Sequence, residues 1–397
     1  MHYAQQQMKI RTSTAISAAI IFLGLVLGYM HRQTFPMYAI IFLSIFLGGL
    51  LSGHSTKRAN WLLHNVAFVF LALAITELFL EFNKIDEHAA DPHLMLSQDG
   101  LGYVGRRGTF RAVETYGFGT RVVYDVEYSM PNGWRATPDS LKKNGPTVMF
   151  FGDSFTFGDG VSDEETLPNA FSILSGMRVV NFGLSGWGPH HMLRLLELDI
   201  PKKIELSSPS LMVYTAINDH IRRAAGHAAW DPTGPFYSVQ NGQARYAGSF
   251  SENHVTCHLP SVIERLLLES RIWRAFIDVD HCPAAPGDAL RDRTRFLEIV
   301  KTANLIAQRK YGCHFVVILW DVNDIDDSAK QNMNWIESNL LKSDVSTLRL
   351  SRAIKNPDFK NWVLRDNHPT PQAYREVAQT LLSWFKENPT FAPSITQ

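Results

Sequence analysis

Long apolar runs occupy the first part of the chain. Three of them precede residue 85, over residues 13–30, 35–52 and 61–82, and the first two contain no charged side chain. A helix needs about 20 apolar residues to cross a bilayer, so each run predicts a transmembrane helix. The alternatives are a cleaved signal peptide for the first run and buried core helices for all three. We favour a membrane anchor of three transmembrane helices over residues 1–85.

Basic residues around these runs predict the orientation of the anchor. Four of them would lie on the same side of the membrane as the N-terminus: Lys9, Arg11, Lys57 and Arg58. Only Arg32 and Lys84 would lie on the opposite side. Because Lys and Arg prefer the cytoplasmic side, the chain is predicted to be a multi-pass protein of the cytoplasmic membrane. Everything beyond residue 85 would then be extracytoplasmic, which means periplasmic in a Gram-negative bacterium.

Shorter patterns follow the apolar runs. Residues 86–145 contain alternating segments such as 121–128, and Asn132-Gly133 is typical of a tight turn, so this part is predicted to be a β-rich lead-in. From residue 146, strands alternate with helices. Strands are predicted over 147–151, 178–182, 210–215, 314–320 and 347–350, and helices over 164–175, 189–199, 291–310 and 371–386. This alternation predicts an α/β domain over residues 146–390, with a parallel sheet covered on both faces.

The alternation is interrupted by an insertion at about residues 226–288. Residues 236–246 predict a hairpin that turns at Asn241-Gly242, and residues 261–277 predict an amphipathic helix. The insertion could be a lid or substrate wall, or a structural excursion without a role in binding.

Composition and charge exclude some classes of function. The 397 residues include 38 basic and 38 acidic side chains, and this balance argues against nucleic acid as the main partner. Cys257 and Cys282 could form a disulfide in an oxidising compartment, whereas Cys313 opens an apolar strand and is expected to be a small buried residue.

A candidate nucleophile follows the first strand of the α/β domain. The apolar residues 148–151 lead to Gly152-Asp153, where the run breaks, and Ser154 comes directly after the break. A serine presented at such a turn can act as a nucleophile if a base takes its proton, so a histidine, an acid and donors for an oxyanion are required.

Three later segments supply those groups. Gly186 lies in a glycine-rich loop after the second strand, where its backbone N–H could serve an oxyanion, although the loop could also be a plain tight turn. Asn218 follows the third strand and could donate its amide or cap a helix. His368 is the candidate base and Asp366 its candidate orienting acid, just before the last helix.

No cofactor or metal is predicted. The sequence contains no Walker-type loop, no H-E-x-x-H and no paired C-x-x-C. His190-His191 would begin a helix, and the acidic residues near 324–327 would lie in a polar loop, so neither group is expected to bind a metal.

Together, the four segments resemble the SGNH/GDSL hydrolase superfamily, whose serine, glycine, asparagine and aspartate–histidine blocks occur in the same order. The resemblance covers about residues 146–386 and implies a three-layer α/β/α flavodoxin-like fold without a cofactor. It implies that Ser154 is the nucleophile and first oxyanion donor, that Gly186 and Asn218 are further donors, and that His368 and Asp366 complete the triad. Two positions depart from the pattern: Ala216 replaces a usual glycine, and Asn367 alone separates the acid from the histidine. The second departure leaves open whether Asp366, another acid or a backbone carbonyl orients the ring.

The resulting prediction is a membrane-anchored serine esterase that deacylates an extracytoplasmic glycan or lipid through an acyl-enzyme. One alternative is an O-acyltransferase that passes the acyl group to an envelope polysaccharide. The other is a catalytically silent module that binds a glycan or a protein partner.

Overall fold

The computed structural model describes residues 40–46, 57–83, 85–87, 95–116, 121–140, 146–203, 209–228, 230–253, 289–322, 327–354, 359–388 and 391. These residues fall into two compact units, which are described separately. The first contains residues 40–46 and 57–83, and the second contains residues 85–115 and the described residues from 121 onwards.

The first unit consists of a helical segment over 40–46 and helix α1 (Lys57–Asn83). Ile41, Ile45 and Ala67 are buried together in a small apolar cluster. Three ring contacts also join the two helices, for example between Phe46 and Phe68, whose centroids are 6.4 Å apart. Aromatic packing therefore accounts for much of the contact within this unit.

The prediction of three transmembrane helices is wrong for the part of the chain that the structure describes. No helix there is long and apolar enough to cross a bilayer. The third apolar run lies in α1, where His64, Asn65 and Glu77 place polar side chains among the apolar ones. Of the other two runs, 13–30 lies outside the described residues and 35–52 is described only over 40–46.

The second unit contains twelve strands and ten helices among its described residues. In chain order they are β1 (Ile85–Glu87), β2 (Met95–Gln98), β3 (Gly102–Gly105), β4 (Gly108–Tyr116), β5 (Arg121–Met130), β6 (Thr147–Phe151), α2 (Ser154–Phe157), α3 (Leu167–Ser175), β7 (Arg178–Asn181), α4 (Pro189–Glu197), α5 (Ile200–Lys203), β8 (Pro209–Ala216), α6 (His220–Ala224), β9 (Pro235–Gln240), β10 (Gln243–Ser249), α7 (Ala289–Tyr311), β11 (His314–Leu319), α8 (Asp327–Lys342), β12 (Ser346–Arg349), α9 (Leu350–Ala353), α10 (Phe359–Trp362) and α11 (Pro371–Glu387).

The central sheet has five parallel strands in the order β12-β11-β8-β6-β7. All five residues of β6 are buried, which explains why this strand is a continuous apolar run rather than an alternating one. Met149 and Phe151 pack on one face of the sheet with α4, α7 and α8, and Val148 and Phe150 pack on the other face with α3 and α11. The predicted three-layer α/β/α arrangement is therefore confirmed, and the carboxyl ends of β6, β7 and β8 lie at one edge.

Smaller strands surround this sheet. In the lead-in, β1, β4 and β5 form one sheet and β2 pairs with β3 in another. In the insertion, β9 and β10 form the predicted hairpin, and Asn241 (φ 51°) and Gly242 (φ 70°) occupy its turn. Two positive φ angles are what a two-residue type I′ turn requires, which explains the Asn-Gly pair.

Two other predictions for this region have different outcomes. The helix expected over 261–277 and the Cys257–Cys282 pair lie outside the described residues. Cys313 is a buried thiol, as expected, and burial raises the pKa of this thiol to about 12. The thiol is therefore protonated at neutral pH and behaves as a small apolar group.

Candidate active site

Ser154 lies at the carboxyl end of β6, as the first residue of the short helix α2. Asp153 caps this helix, because its Oδ1 accepts a hydrogen bond of 3.1 Å from the backbone N–H of Phe155. Gly152 is required at the turn, since a Cβ there would lie 2.2 Å from the hydroxyl oxygen of Thr156. The chain can therefore reverse tightly enough to place Ser154 directly beyond the sheet edge.

The glycine-rich loop after β7 lies beside the Ser154 turn. Backbone N–H groups of Phe182 and Leu184 donate to the carbonyl oxygens of Phe150 and Gly152, at 2.8 and 3.2 Å. Gly186 follows in this loop with φ 79°, and a Cβ there would lie 2.5 Å from the Tyr103 hydroxyl. The positive φ angle and the lack of room for a Cβ both require glycine at position 186. The backbone there can therefore lie close to neighbouring groups.

Asn218 follows β8 at the same edge, and a contact from α8 orients its side chain. The amide nitrogen of Asn332 donates to Oδ1 of Asn218 at 2.9 Å. Because the carbonyl of the Asn218 amide is used in this bond, its NH₂ group faces another direction and can donate to a ligand. Sequence reasoning missed Asn332, because α8 was not predicted.

His368 and Asp366 lie together in one tight loop before α11. Asp366 Oδ2 is 2.7 Å from His368 Nδ1, and its Oδ1 accepts the backbone N–H of His368 at 3.1 Å. Asn367 adopts φ 69°, and this left-handed turn allows two residues with a single spacer to face each other. The short spacing that departs from the family pattern therefore still brings the acid to the ring.

The loop that carries this pair is closed at its base by backbone contacts. Leu364 N–H donates to the carbonyl of His368 at 2.8 Å, and Thr370 N–H donates to that of Trp362 at 2.9 Å. Val363 and Pro369 also form an antiparallel bridge. The Asp366–His368 pair is therefore held in a closed backbone loop.

His368 lies beside the Ser154 turn. Its ring centroid is 5.8 Å from that of Phe155, and its Nε2 is 3.9 Å from Oδ2 of Asp159. The backbone N–H of Asp159 donates to the carbonyl of Ser154 at 3.1 Å, so this carboxylate belongs to the same turn as the serine. Within the described residues, no hydrogen bond joins the Ser154 hydroxyl to His368.

Asp159 is a buried acid that the sequence analysis did not identify. Its Oδ2 accepts a hydrogen bond of 2.6 Å from the hydroxyl of Ser185, which precedes Gly186. Its Oδ1 is buried without a hydrogen-bond partner among the described residues. Burial raises the pKa of this carboxyl, and the charge of His368 and the Ser185 bond oppose that rise. Nothing in the spacing of the sequence indicates that position 159 approaches the histidine.

Two carboxylates control the charge of His368. Burial lowers the pKa of this imidazole, but the hydrogen bond that it donates to Asp366 and the charges of Asp159 and Asp366 outweigh burial and raise the pKa to about 9. The pKa of Asp366 is lowered despite burial, because His368 donates to it from the ring and from the backbone. At neutral pH the pair is therefore an imidazolium and a carboxylate.

A second histidine pair lies below the glycine-rich loop. His190 Nε2 and His191 Nε2 are 3.1 and 3.4 Å from Oδ2 of Asp231, and all three residues are buried. Burial lowers the pKa of His190 to about 3, so this ring is neutral. The backbone N–H of Gly188 donates to His191 Nδ1 at 3.3 Å, which places the ring proton of His191 on Nε2. His190 Nε2 and Asp231 Oδ2 share a hydrogen bond, whereas His190 Nδ1, His191 Nε2 and Asp231 Oδ1 are buried without a hydrogen-bond partner among the described residues.

Two tryptophans lie next to Gly186. Trp187 is 1% exposed and stacks on His191 with centroids 4.8 Å apart, so it is a packing residue rather than a pocket wall. Trp230 is 42% exposed, and its indole N–H donates to the carbonyl of Gly186 at 3.2 Å. An exposed aromatic surface is therefore held beside the loop that carries the second candidate oxyanion donor.

Comparison with known proteins gives structural neighbours only. No protein-family model matches the chain, and no curated protein sequence is similar to it. A protein assigned to the lipolytic G-D-S-L family from Desulfitobacterium hafniense DCB-2 is 14% identical, with a TM-score of 0.36, over 60% of this chain and 98% of that chain. A member of the same family from Veillonella parvula DSM 2008 is 11% identical, with a TM-score of 0.36, over 62% and 100% of the two chains.

An acetyl xylan esterase from the rumen bacterium Butyrivibrio proteoclasticus is 9% identical, with a TM-score of 0.35, over 62% of this chain and 65% of that chain. Two of these neighbours are thus G-D-S-L family lipolytic proteins and the third is an acetyl xylan esterase.

Proposed function

We propose that this chain is a serine hydrolase that cleaves carboxylic esters, with Ser154 as the nucleophile. The observation that carries the proposal is the Asp366–His368 pair, joined at 2.7 Å and packed against Phe155, the residue after Ser154. A base oriented by an acid beside a serine at a strand-to-helix turn is the arrangement that activates a hydroxyl.

Each candidate residue then has one role in the reaction. The Ser154 hydroxyl attacks the ester carbonyl while His368 Nε2 accepts its proton, and Asp366 stabilises the imidazolium that forms. The backbone N–H groups of Ser154 and Gly186 and the amide of Asn218 donate to the oxyanion. His368 next protonates the departing alcohol, which leaves an acyl-enzyme. Water then attacks the acyl carbonyl and gives a proton to His368, which passes it to the departing Ser154 oxygen, so that a carboxylic acid and free Ser154 are released.

We propose an O-acylated glycan or lipid as the substrate. Trp230 supports a substrate with a flat apolar face, because its exposed indole stands beside Gly186 and is fixed by its N–H bond. An O-acyltransferase would use the same acyl-enzyme but pass the acyl group to a sugar hydroxyl.

The first experiment measures ester cleavage by the full chain. We expect release of p-nitrophenol from p-nitrophenyl acetate, slower release from a long-chain ester, and loss of release in Ser154→Ala. Adding a sugar acceptor separates the two reactions, because a transferase forms an acylated sugar whereas a hydrolase forms only the free acid. Equal rates in Ser154→Ala and the unmodified protein would remove Ser154 from the mechanism.

The second experiment tests the alternative of a silent binding module. A fluorophosphonate probe reacts covalently with an activated serine, so we expect it to label Ser154 in the folded protein and to leave Ser154→Ala unlabelled. A folded protein that hydrolyses no ester and takes up no probe would favour the binding module.

A further inference from the structure

Arg223 contacts the three segments that carry the candidate oxyanion donors. Its Nη1 donates to Oδ2 of Asp153 at 3.1 Å and to the backbone carbonyl of Trp187 at 2.8 Å. Its Nε donates to Oδ2 of Asp219 at 2.6 Å. In the sequence, these three acceptors stand directly beside Ser154, Gly186 and Asn218. One side chain thus bonds to the immediate neighbour of each proposed donor.

We propose that Arg223 is a positioning residue that sets the relative placement of the three oxyanion donors, an inference that rests on the proposed esterase function. A guanidinium group is planar, and its N–H groups point in fixed directions. Acceptors bound to the same group cannot shift independently without losing a bond. Loops from three different strands are therefore held in one arrangement before substrate binds, as oxyanion stabilisation requires.

The surroundings of Arg223 favour a fixed position over a mobile one. The residue is 9% exposed, and its charge is balanced by Asp153 and Asp219. Asp153 is also 3.2 Å from His220 Nε2, and the other ring nitrogen of His220 is 2.6 Å from the Tyr214 hydroxyl. Burial raises the pKa of Asp153, but the charge and hydrogen bond of His220, the charge of Arg223 and the backbone N–H of Phe155 outweigh it and lower the pKa.

The neighbouring Arg222 provides a matched control. Its Nε also binds Asp219, at 2.7 Å to Oδ1, and it lies on the same short helix. Its further hydrogen bonds go to Oδ2 of Asp219 and to the His227 carbonyl, and its guanidinium lies 5.3 Å from the centroid of the Trp230 ring. Arg222→Lys therefore perturbs the same helix and the same aspartate but leaves in place the Arg223 side chain, which bonds to Asp153, Trp187 and Asp219.

The test compares Arg223→Lys with Arg222→Lys in the full chain, using p-nitrophenyl acetate. Lysine keeps the charge but has no planar fork, so we expect kcat to fall about 10²-fold in Arg223→Lys, the scale of losing one oxyanion donor. We expect KM to stay within about twofold, because the donors act in the transition state. The rate of fluorophosphonate labelling is expected to fall in parallel. Arg222→Lys is expected to keep the kcat of the unmodified protein.

Several outcomes would overturn the inference. They are an unchanged kcat in Arg223→Lys, an equal loss in both variants, and a loss confined to KM. If Arg223→Lys does not fold, Asp219→Asn replaces it, since it weakens the Nε bond, and a kcat equal to that of Arg222→Lys would then contradict the proposal. Failure of the esterase function itself is distinguishable, because the unmodified protein would neither cleave the ester nor take up the probe.

Discussion

At the scale of single residues, the position of His368 between two carboxylates decides when it can act as a base. Asp366 binds Nδ1 at 2.7 Å, and Asp159 lies 3.9 Å from Nε2. Burial disfavours the charged ring, but these two acids outweigh burial and raise the pKa of His368 to about 9. The resting imidazole is therefore mostly protonated at neutral pH, and it must lose that proton before it can accept one from Ser154.

This charge predicts an alkaline rise in activity. Because only the neutral ring is a base, kcat/KM for p-nitrophenyl acetate should increase about tenfold per pH unit and level off near pH 9, which a pH–rate profile of the free enzyme measures. A profile already level at pH 7 would show that the two carboxylates do not control the base.

Asp159→Asn is expected to move that profile. Without this charge the pKa of His368 falls, so a larger fraction of the ring is neutral at low pH. The imidazolium that forms in the transition state is also less stabilised, so the plateau at high pH falls. The profiles of the variant and the unmodified protein should therefore cross. Asp344→Asn, at an exposed turn, is the control, and an acidic limb that does not move in Asp159→Asn would contradict the assignment.

Asn332 provides a second test at this scale. Without its bond of 2.9 Å, the Asn218 amide is free to rotate and no longer presents a fixed NH₂ group. We expect Asn332→Ala to lower kcat about tenfold, less than outright loss of an oxyanion donor, with little change in KM. Gln331→Ala, an exposed neighbour on the same helix, should leave both constants unchanged. A fall in both variants would indicate damage to α8 instead.

At the scale of elements, the loops after the strands depend on particular glycines. Gly186 and Gly176 both have a left-handed backbone, with φ 79° and 75°. A Cβ at position 186 would lie 2.5 Å from the Tyr103 hydroxyl and 2.8 Å from the Trp230 indole nitrogen, whereas a Cβ at position 176 meets nothing within 4 Å. The two positions therefore share a conformational requirement but differ in available space.

Alanine substitutions at Gly186 and Gly176 separate the effect of backbone strain from that of steric clashes with a Cβ. Alanine in a left-handed conformation costs about 1–2 kcal/mol, so both Gly186→Ala and Gly176→Ala should lower the free energy of unfolding by about that amount. Only Gly186→Ala should also displace its loop, so we expect its kcat to fall at least about tenfold while Gly176→Ala keeps full activity. Denaturant unfolding and ester kinetics measure the two effects, and equal activity in both variants would count against Gly186 as a donor.

Hydrophobic periodicity predicted the strands of the central sheet closely but missed several helices, of which α8 is the longest. The strand over 147–151 and the helix over 371–386 match β6 and α11 to within one residue. Helix α8 is absent from the predicted elements, and only the acidic residues near 324–327 are expected in a polar loop. Its buried residues Ala329, Met333, Ile336 and Leu340 are spaced as one face of a helix, so the signal was present in the sequence.

At the scale of the whole molecule, sequence reasoning predicted the layers better than the contacts between distant residues. Residues in one block, such as Asp366 and His368, could be recognised together because they are adjacent in the chain. Arg223 and Asp153 are 70 positions apart, and Asn332 and Asn218 are 114 apart. Such partners are brought together only by the folded sheet, and no local pattern marks them.

The sheet also divides the core into two clusters. Ile318 is buried in the cluster shared with α3 and α11, and Ile336 is buried in the cluster on the opposite face. Ile318→Val and Ile336→Val should each lower the free energy of unfolding by about 0.5–1.5 kcal/mol. In the double variant the two losses should add to within about 0.5 kcal/mol, because the side chains share no cluster. Denaturant titration measures all three values, and a larger discrepancy would show that the faces are coupled.

The closed loop from Trp362 to Thr370 makes the acid and its base a self-contained module. The ring orientation is encoded in three consecutive residues, Asp366, Asn367 and His368, and not in a distant partner. Substitutions elsewhere could shift the whole module toward or away from Ser154 without separating its two members. Sequence divergence among related chains would then change the distance between His368 and Ser154 more readily than the pairing of His368 with Asp366.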